Sequence, residues 1–97
     1  MSVQGEQAAA FAGFAAAAQA AGFAEVVERV WPADALVPEH THPFAVAAQV
    51  VAGEMWLTVA GETRHLLPGD RFSLVLAEPH AERYGPVGAT YWVARRG

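Results

Sequence analysis

Residues 39–44 read Glu-His-Thr-His-Pro-Phe, and this stretch decides how the chain is interpreted. Side chains in a β-strand alternate between faces, so His40 and His42 are expected to point the same way, with Cα atoms about 6.6 Å apart. Two imidazoles at that separation can both bind one ion at about 2.0–2.1 Å. Alone, the pair is a weak signal, because two surface histidines on an edge strand explain it equally well.

A second segment adds a third histidine. Pro68-Gly69-Asp70 suits a type II turn, in which proline fixes φ at the second position and glycine accepts the positive φ of the third. A strand is predicted over 71–76, a break over 77–79, and His80 follows the break.

These two segments resemble the two sequence motifs of the cupin superfamily, G-x5-H-x-H-x3,4-E-x6-G and G-x5-P-x-G-x2-H-x3-N. His40, His42 and Gly53 match the first motif, and Gly69 and His80 match the second at its spacing. The resemblance covers about residues 25–91. It implies a small single-domain (conserved-barrel) cupin: an all-β, antiparallel β-barrel of the double-stranded β-helix or jelly-roll type. It also implies that His40, His42 and His80 bind a metal.

Several motif positions differ. The first motif's leading glycine falls on Asp34, and its glutamate falls on Val46, or on Ala47 with the longer spacing. In the second motif proline, glycine and asparagine are replaced in turn by Val75, Ala77 and Tyr84. The usual set of three histidines and one glutamate is thereby reduced to three histidines.

Three neutral imidazoles leave a divalent ion with both of its positive charges and with open positions for water, substrate or dioxygen. Such a site favours a small anionic ligand. Imidazole ligands suit Zn, Fe(II), Ni or Cu, among which the sequence does not choose, and they disfavour Mg and Ca.

Two further residues are candidate catalytic groups. Glu82 follows His80 by two positions and shares its face if the strand continues, so it is a candidate substitute ligand or general base. Tyr84, the second candidate, could supply a hydroxyl that orients a ligand, and so could Tyr91. The alternatives are a solvated surface carboxylate and a tyrosine with a structural hydrogen bond.

The rest of the chain divides into an N-terminal helix within 1–22, packed on the barrel, and a barrel domain over 23–97. Alanine-rich residues 4–21 predict the helix, which Gly22 ends. Strands are predicted at 25–31, 44–52, 55–59, 63–66, 71–76 and 90–94. The interior is expected to contain Phe44, Val46, Ala48, Val50, Met55, Leu57, Val59, Phe72 and Leu74. Trp56 should point outward, covered by the helix or by a dimer partner. His65 should be an ordinary, partly exposed histidine.

Composition excludes several functions. The chain has 97 residues, a formal charge of −4 and six arginines without a basic stripe, so no nucleic-acid partner is expected. Without Cys or Lys there is no thiolate chemistry, Schiff base or P-loop. The apolar stretch 8–24 lacks a preceding positive charge and is interrupted by Gln19, so neither export nor membrane insertion is expected. A cytoplasmic protein is predicted, and a homodimer, since the core is small.

Three functional hypotheses remain. The first is a metal-dependent enzyme, either a dioxygenase-like oxidoreductase or an isomerase, acting on a small anionic molecule. The second is a non-catalytic, metal-dependent binding module for a small molecule. The third is a structural cupin dimer that binds metal only incidentally.

Overall fold

The fold is seen in a computed structural model, which describes residues 3–97. One helix, α1 (Val3–Ala20), precedes six strands. These are β1 (Glu25–Trp31), β2 (Leu36–His40), β3 (Ala45–Val59), β4 (Glu62–Leu66), β5 (Arg71–Leu74) and β6 (His80–Arg96). All strand pairs are antiparallel. The predicted all-β fold with a short N-terminal helix is confirmed.

The long strands β3 and β6 each contribute to both walls of the barrel. In one wall β1, β6, β3 and β5 lie side by side, with 45–53 of β3 paired with 89–96 of β6. In the other, β2, β6, β3 and β4 lie side by side, with 55–59 of β3 paired with 80–84 of β6. Because two strands run through both walls, the sheet folds over on itself as a jelly roll.

The corner between the walls requires glycine. Gly53 and Gly88 have φ of 73° and 72°, and a Cβ on Gly53 would lie 2.1 Å from the Gly88 carbonyl oxygen. Gly53-Glu54 was predicted to be a turn between two strands. Instead β3 continues through it. Its register with β6 shifts between Val50 and Ala52 and again between Gly53 and Met55, as bulges at a barrel corner allow.

Two residues that stand at glycine positions of the motifs have a positive φ. Asp34 has φ of 59° and Ala77 has φ of 63°, both in the left-handed region that favours glycine. The Asp34 N–H donates to the Gly85 carbonyl oxygen at 3.0 Å, and the Ala77 N–H donates to the His42 carbonyl oxygen at 3.0 Å. Tertiary hydrogen bonds therefore hold both residues in a conformation that costs an L-residue about 1–2 kcal/mol.

The sequence predicted a strand at His40 and His42 but not its extent, because Pro38 lies inside β2 and Pro32 lies between β1 and β2. The strand β2 pairs with β6 on one side, and its register with β6 shifts between Val37 and His40, where proline is tolerated. The predicted strand 90–94 was too short, since β6 begins at His80 and passes through Gly85-Pro86.

The core lies between the two walls, and its residues alternate along the strands as predicted. Phe44 and Val59 are only partly buried at its edge. The buried cluster comprises Val46, Ala48, Val50, Met55, Leu57, Leu66, Phe72, Leu74, Tyr84, Ala89, Tyr91 and Val93.

The helix α1 contacts the outside of the first wall. Phe11 and Phe14 lie against Trp92, with ring centroids 5.4 and 5.8 Å away. The helix ends in a Schellman motif, in which the Phe23 N–H donates to the Ala18 carbonyl oxygen at 3.0 Å and Gly22 has φ of 97°. Within residues 3–97 no helix combines the length and apolarity needed to span a membrane.

Trp56 points outward as expected, but α1 lies against Trp92 and not against it. Its ring is instead stacked on His65, with centroids 4.6 Å apart, and the Arg83 guanidinium lies 4.0 Å from its centroid. His65 Nε2 pairs with Glu54 Oε2 at 2.7 Å, which accounts for this histidine without a metal.

Candidate metal centre

The structure brings His40, His42 and His80 together from three different local settings. His40 ends β2 and His80 begins β6, and the two are direct partners across the sheet. His42 lies in the loop between β2 and β3, so the strand alternation predicted for the pair applies to His40 alone. The hydrogen bond from the Ala77 N–H to the His42 carbonyl oxygen holds that loop against the segment between β5 and β6.

The ligand nitrogens of the three histidines all lie within 4.8 Å of one another. His40 Nε2 and His42 Nε2 are 3.2 Å apart. Two nitrogens bound to one tetrahedral ion at about 2.0–2.1 Å would lie about 3.3 Å apart, so this spacing suits a shared ion. The three residues could therefore hold a metal ion.

Backbone carbonyls orient two of the three rings. His40 Nδ1 lies 2.8 Å from the Pro38 carbonyl oxygen, and His80 Nδ1 lies 2.8 Å from the Glu78 carbonyl oxygen. A carbonyl only accepts, so each Nδ1 must donate its proton, and each neutral ring then has its lone pair on Nε2. This arrangement of the second ring nitrogen is typical of metal-binding histidines.

His42 is kept in the form that binds metal by its surroundings. Its ring is stacked on Phe44, with centroids 4.8 Å apart and planes 7° apart. Burial lowers the pKa of His42, and positive charge on His40, His80, Arg95 and Arg29 lowers it further. The imidazole is consequently biased towards its neutral form.

The histidines open into a pocket at one end of the barrel interior, with a volume of about 130 Å³. Val46, at the position of the missing motif glutamate, is buried and lines this pocket. The sequence pointed to Tyr91 as a possible hydroxyl donor, but it did not single out Arg29, Trp31 or Arg95, which also line the pocket. The alternation of Arg29 and Trp31 along β1 could have indicated a shared inward face, but a lone arginine on a strand more often points to solvent.

Glu82 points into the same pocket and is 7% exposed. Its Oε2 atom lies 3.9 Å from His40 Nε2, which is beyond hydrogen-bonding distance. Glu82 is outside the group of residues whose ligand atoms lie within 4.8 Å of one another. The carboxylate thus stands beside the three histidines without joining their cluster.

Tyr84 lies behind the pocket. Its ring is stacked on Trp31, with centroids 5.1 Å apart, and Trp31 Nε1 donates to the Tyr91 hydroxyl at 3.3 Å. Within residues 3–97 the buried Tyr84 hydroxyl makes no well-oriented hydrogen bond, although Tyr91 and Glu82 lie close enough to interact with it. Burial, followed by the electrostatic effect of Tyr91 and Glu82, raises the pKa of Tyr84 well above its ordinary value, so this phenol stays protonated.

Comparison with solved structures identifies the fold. The DMSP lyase DddQ from Ruegeria pomeroyi is 33% identical over 74% of this chain and 36% of its own, with a TM-score of 0.64. A chain from the DMSP lyases RdDddP and RnDddQII is 22% identical over 74% of this chain and 37% of its own, with a TM-score of 0.69. An RmlC-like cupin from Shewanella frigidimarina is 22% identical over 74% of this chain and 65% of its own, with a TM-score of 0.65.

This protein therefore spans little more than a third of the length of the two DMSP lyase chains. No protein-family model and no curated protein matches the sequence. The doubly folded sheet and the likeness to solved cupins agree, and the chain has the fold of a small cupin.

Proposed function

We propose that this cupin is a metal-dependent enzyme that acts on a small anionic molecule by proton transfer. One observation carries the proposal: the Glu82 carboxylate lies 3.9 Å from His40 Nε2, at the edge of the three-histidine cluster. His40, His42 and His80 bind the ion, and Glu82 is the proton-transferring group.

The ion is divalent and is Zn, Fe(II), Ni or Cu, the metals that imidazole ligands suit. When bound, it supplies Lewis acidity that polarises an oxygen of the substrate and makes an adjacent proton easier to remove. Neutral imidazoles do not cancel its charge, so the site attracts an anion. The likeness to the DMSP lyase DddQ, at 33% identity over 74% of this chain, supports a lyase reaction.

Each protein residue has a separate task. The Pro38 and Glu78 carbonyls hold the His40 and His80 rings with their Nε2 lone pairs turned inward. Val46 and Phe44 exclude water from one side of the pocket. Glu82, buried beside the site, accepts a proton from the substrate and returns it, as expected of a positioned general base.

A dioxygenase-like oxidoreductase is the second candidate. It is favoured by the ligand set itself, since three imidazoles without a carboxylate leave several positions open on Fe(II) for substrate and dioxygen. Neither candidate function gains support from Tyr84 as a catalytic hydroxyl, because its ring lies behind Trp31 and its phenol stays protonated. A non-catalytic binding module would use the same ion and need neither group.

Elemental analysis of untagged protein tests the metal first. We expect about one ion per chain in the wild type and in His65→Ala, and none in the double variant His40→Ala/His42→Ala. Absence of metal from the wild type would contradict the proposal.

The metal-loaded protein is then screened against small enols, diketones, carboxylates and thiols. Product formation without oxygen uptake supports the proton-transfer enzyme. Oxygen uptake by the iron-loaded form would instead identify the oxidoreductase. Tight binding without turnover of any compound would identify a binding module.

A further inference from the structure

Two arginines line the pocket beside the histidines. Arg29 on β1 and Arg95 on β6 both line the pocket, and Arg29 is the cross-strand partner of Tyr91, which also lines it. The Arg95 side chain is 25% exposed, whereas Arg29 is exposed to solvent at the pocket mouth. Partial loss of water around the Arg95 charge favours an anion as its partner in the pocket.

Arg95 is only partly satisfied by the protein. Its guanidinium carbon lies 5.0 Å from the Phe44 ring centroid, and Phe44 in turn is stacked on His42. Nη1 donates to Glu25 Oε1 at 3.1 Å, but the Glu25 side chain is 57% exposed, so this pair is at the solvent-facing rim. Nε is buried and has no hydrogen-bond partner within residues 3–97.

The residue opposite Arg95 explains the missing counter-charge. Val46 is the direct cross-strand partner of Arg95, and Val46 occupies the glutamate position of the first motif. A glutamate there would place a carboxylate next to the guanidinium. With valine, the pocket holds two arginines and one carboxylate, Glu82, before any metal is counted.

Arg29 also lacks a carboxylate partner, although its side chain is exposed to solvent. Its guanidinium carbon lies 5.4 Å from the Trp31 ring centroid, and within residues 3–97 it forms no ion pair with a carboxylate. Planar guanidinium groups bind carboxylates through paired hydrogen bonds. The two side chains flank the pocket on neighbouring strands, β1 and β6.

We propose that Arg95, assisted by Arg29, binds a carboxylate group of the substrate, and that the substrate is a small carboxylic acid. This inference rests on the proposed function, because it assigns the substrate class to the same pocket. The size of the acid follows from the cavity. About 130 Å³ is close to the volume of about 150 Å³ that accommodates benzene, so an acid of about six non-hydrogen atoms fits.

The test uses butyrate and its uncharged analogue butyramide, which have equal numbers of non-hydrogen atoms. Binding is followed by NMR of ¹⁵N-labelled protein through the Trp31 indole N–H, which lies at the pocket, and by calorimetry. Wild type, Arg95→Gln, Arg29→Gln and the exposed control Arg64→Gln are titrated, each with zinc and after chelator treatment.

We expect butyrate to bind wild type and Arg64→Gln more tightly than butyramide. Arg95→Gln should weaken butyrate binding by about tenfold or more, as loss of a charge-assisted hydrogen bond implies, and Arg29→Gln by less. Val46→Glu should weaken it too, because the new carboxylate occupies Arg95, whereas Val46→Gln should have a smaller effect. Metal content of Arg95→Gln should equal that of wild type.

Two results would overturn the inference. One is equal affinity for butyrate and butyramide. The other is butyrate binding that Arg95→Gln leaves intact and that chelation abolishes, which would place the carboxylate on the metal and leave the proposed function standing. Conversely, arginine-dependent butyrate binding by a protein that takes up no metal would support the carboxylate site while the proposed function fails.

Discussion

His40 and His80 are cross-strand partners on β2 and β6, and their imidazole centroids lie 4.2 Å apart. The strand pairing alone brings these two rings together, and the following loop adds His42, whose ring centroid is 5.1 Å from that of His80. The centre is therefore built into the barrel wall, and metal binding should be coupled to the stability of the barrel.

Metal addition should stabilise the folded protein. A ligand that binds only the folded state at a thousand times its dissociation constant raises the free energy of unfolding by about 4 kcal/mol. We expect zinc to raise the Tm of the wild type, measured by calorimetry, and a chelator to reverse the rise. His80→Ala should abolish the zinc-dependent rise and His65→Ala should retain it. An equal response of both variants would place the binding site elsewhere.

Glu82→Gln should separate proton transfer from metal binding. The substitution keeps the size of the side chain but removes the basic oxygen, so turnover of an identified substrate should fall by about 10²- to 10⁴-fold. Metal stoichiometry should remain at the wild-type value, because Glu82 stands outside the histidine cluster. A large loss of metal affinity in this variant would show that Glu82 is a ligand and not the general base.

Tyr84→Phe should be tolerated or stabilising. Within the described residues the buried hydroxyl makes no well-oriented hydrogen bond, and a buried unsatisfied group costs about 1–3 kcal/mol. The matched variant Tyr91→Phe removes the acceptor of the Trp31 indole N–H and should lower the free energy of unfolding. Both are measured by urea denaturation. Marked destabilisation by Tyr84→Phe would mean that the hydroxyl has a partner after all.

Ala77→Gly should stabilise the protein. Ala77 has φ of 63°, and release of that strain should add about 1 kcal/mol to the free energy of unfolding. For a domain of this size, that gain raises Tm by about 4–8 °C. The same substitution at exposed Ala16 in α1 should cost about 1 kcal/mol. If both changes destabilise equally, the backbone at Ala77 is not strained in solution.

Gly53→Ala should be severely destabilising, because the new Cβ would lie 2.1 Å from the Gly88 carbonyl oxygen at the barrel corner. Gly61→Ala is the matched control. Gly61 also has positive φ, at 80°, but nothing lies within 4 Å of its Cβ position, so only the conformational cost of about 1–2 kcal/mol applies. Circular dichroism and urea denaturation compare the folded structure and the free energy of unfolding of the two variants. Similar stability of both would argue against a tight corner.

Local patterns predicted much of the fold. The strand β1, the helix α1, the Pro68-Gly69 turn and the alternating core of β3 followed from side-chain periodicity and turn chemistry. At the turn, Gly69 has φ of 97° and the Asp70 N–H donates to the Leu67 carbonyl oxygen at 2.9 Å. The extent of β2 could not be predicted in this way, because Pro38 argues against a strand. The bulge that accommodates this proline forms only where β2 pairs with β6.

The sequence by itself determined the ligand types, since four histidines are the only imidazoles and no thiolate exists to replace them. It also determined the two motif segments that contain three of the four. Only the tertiary structure decided which groups meet: it separated His65 from the other three, turned Glu82 towards His40, and placed Arg95 opposite Val46. Strand alternation specifies which side of a strand a residue occupies, whereas the barrel's pairing register specifies what lies across from it.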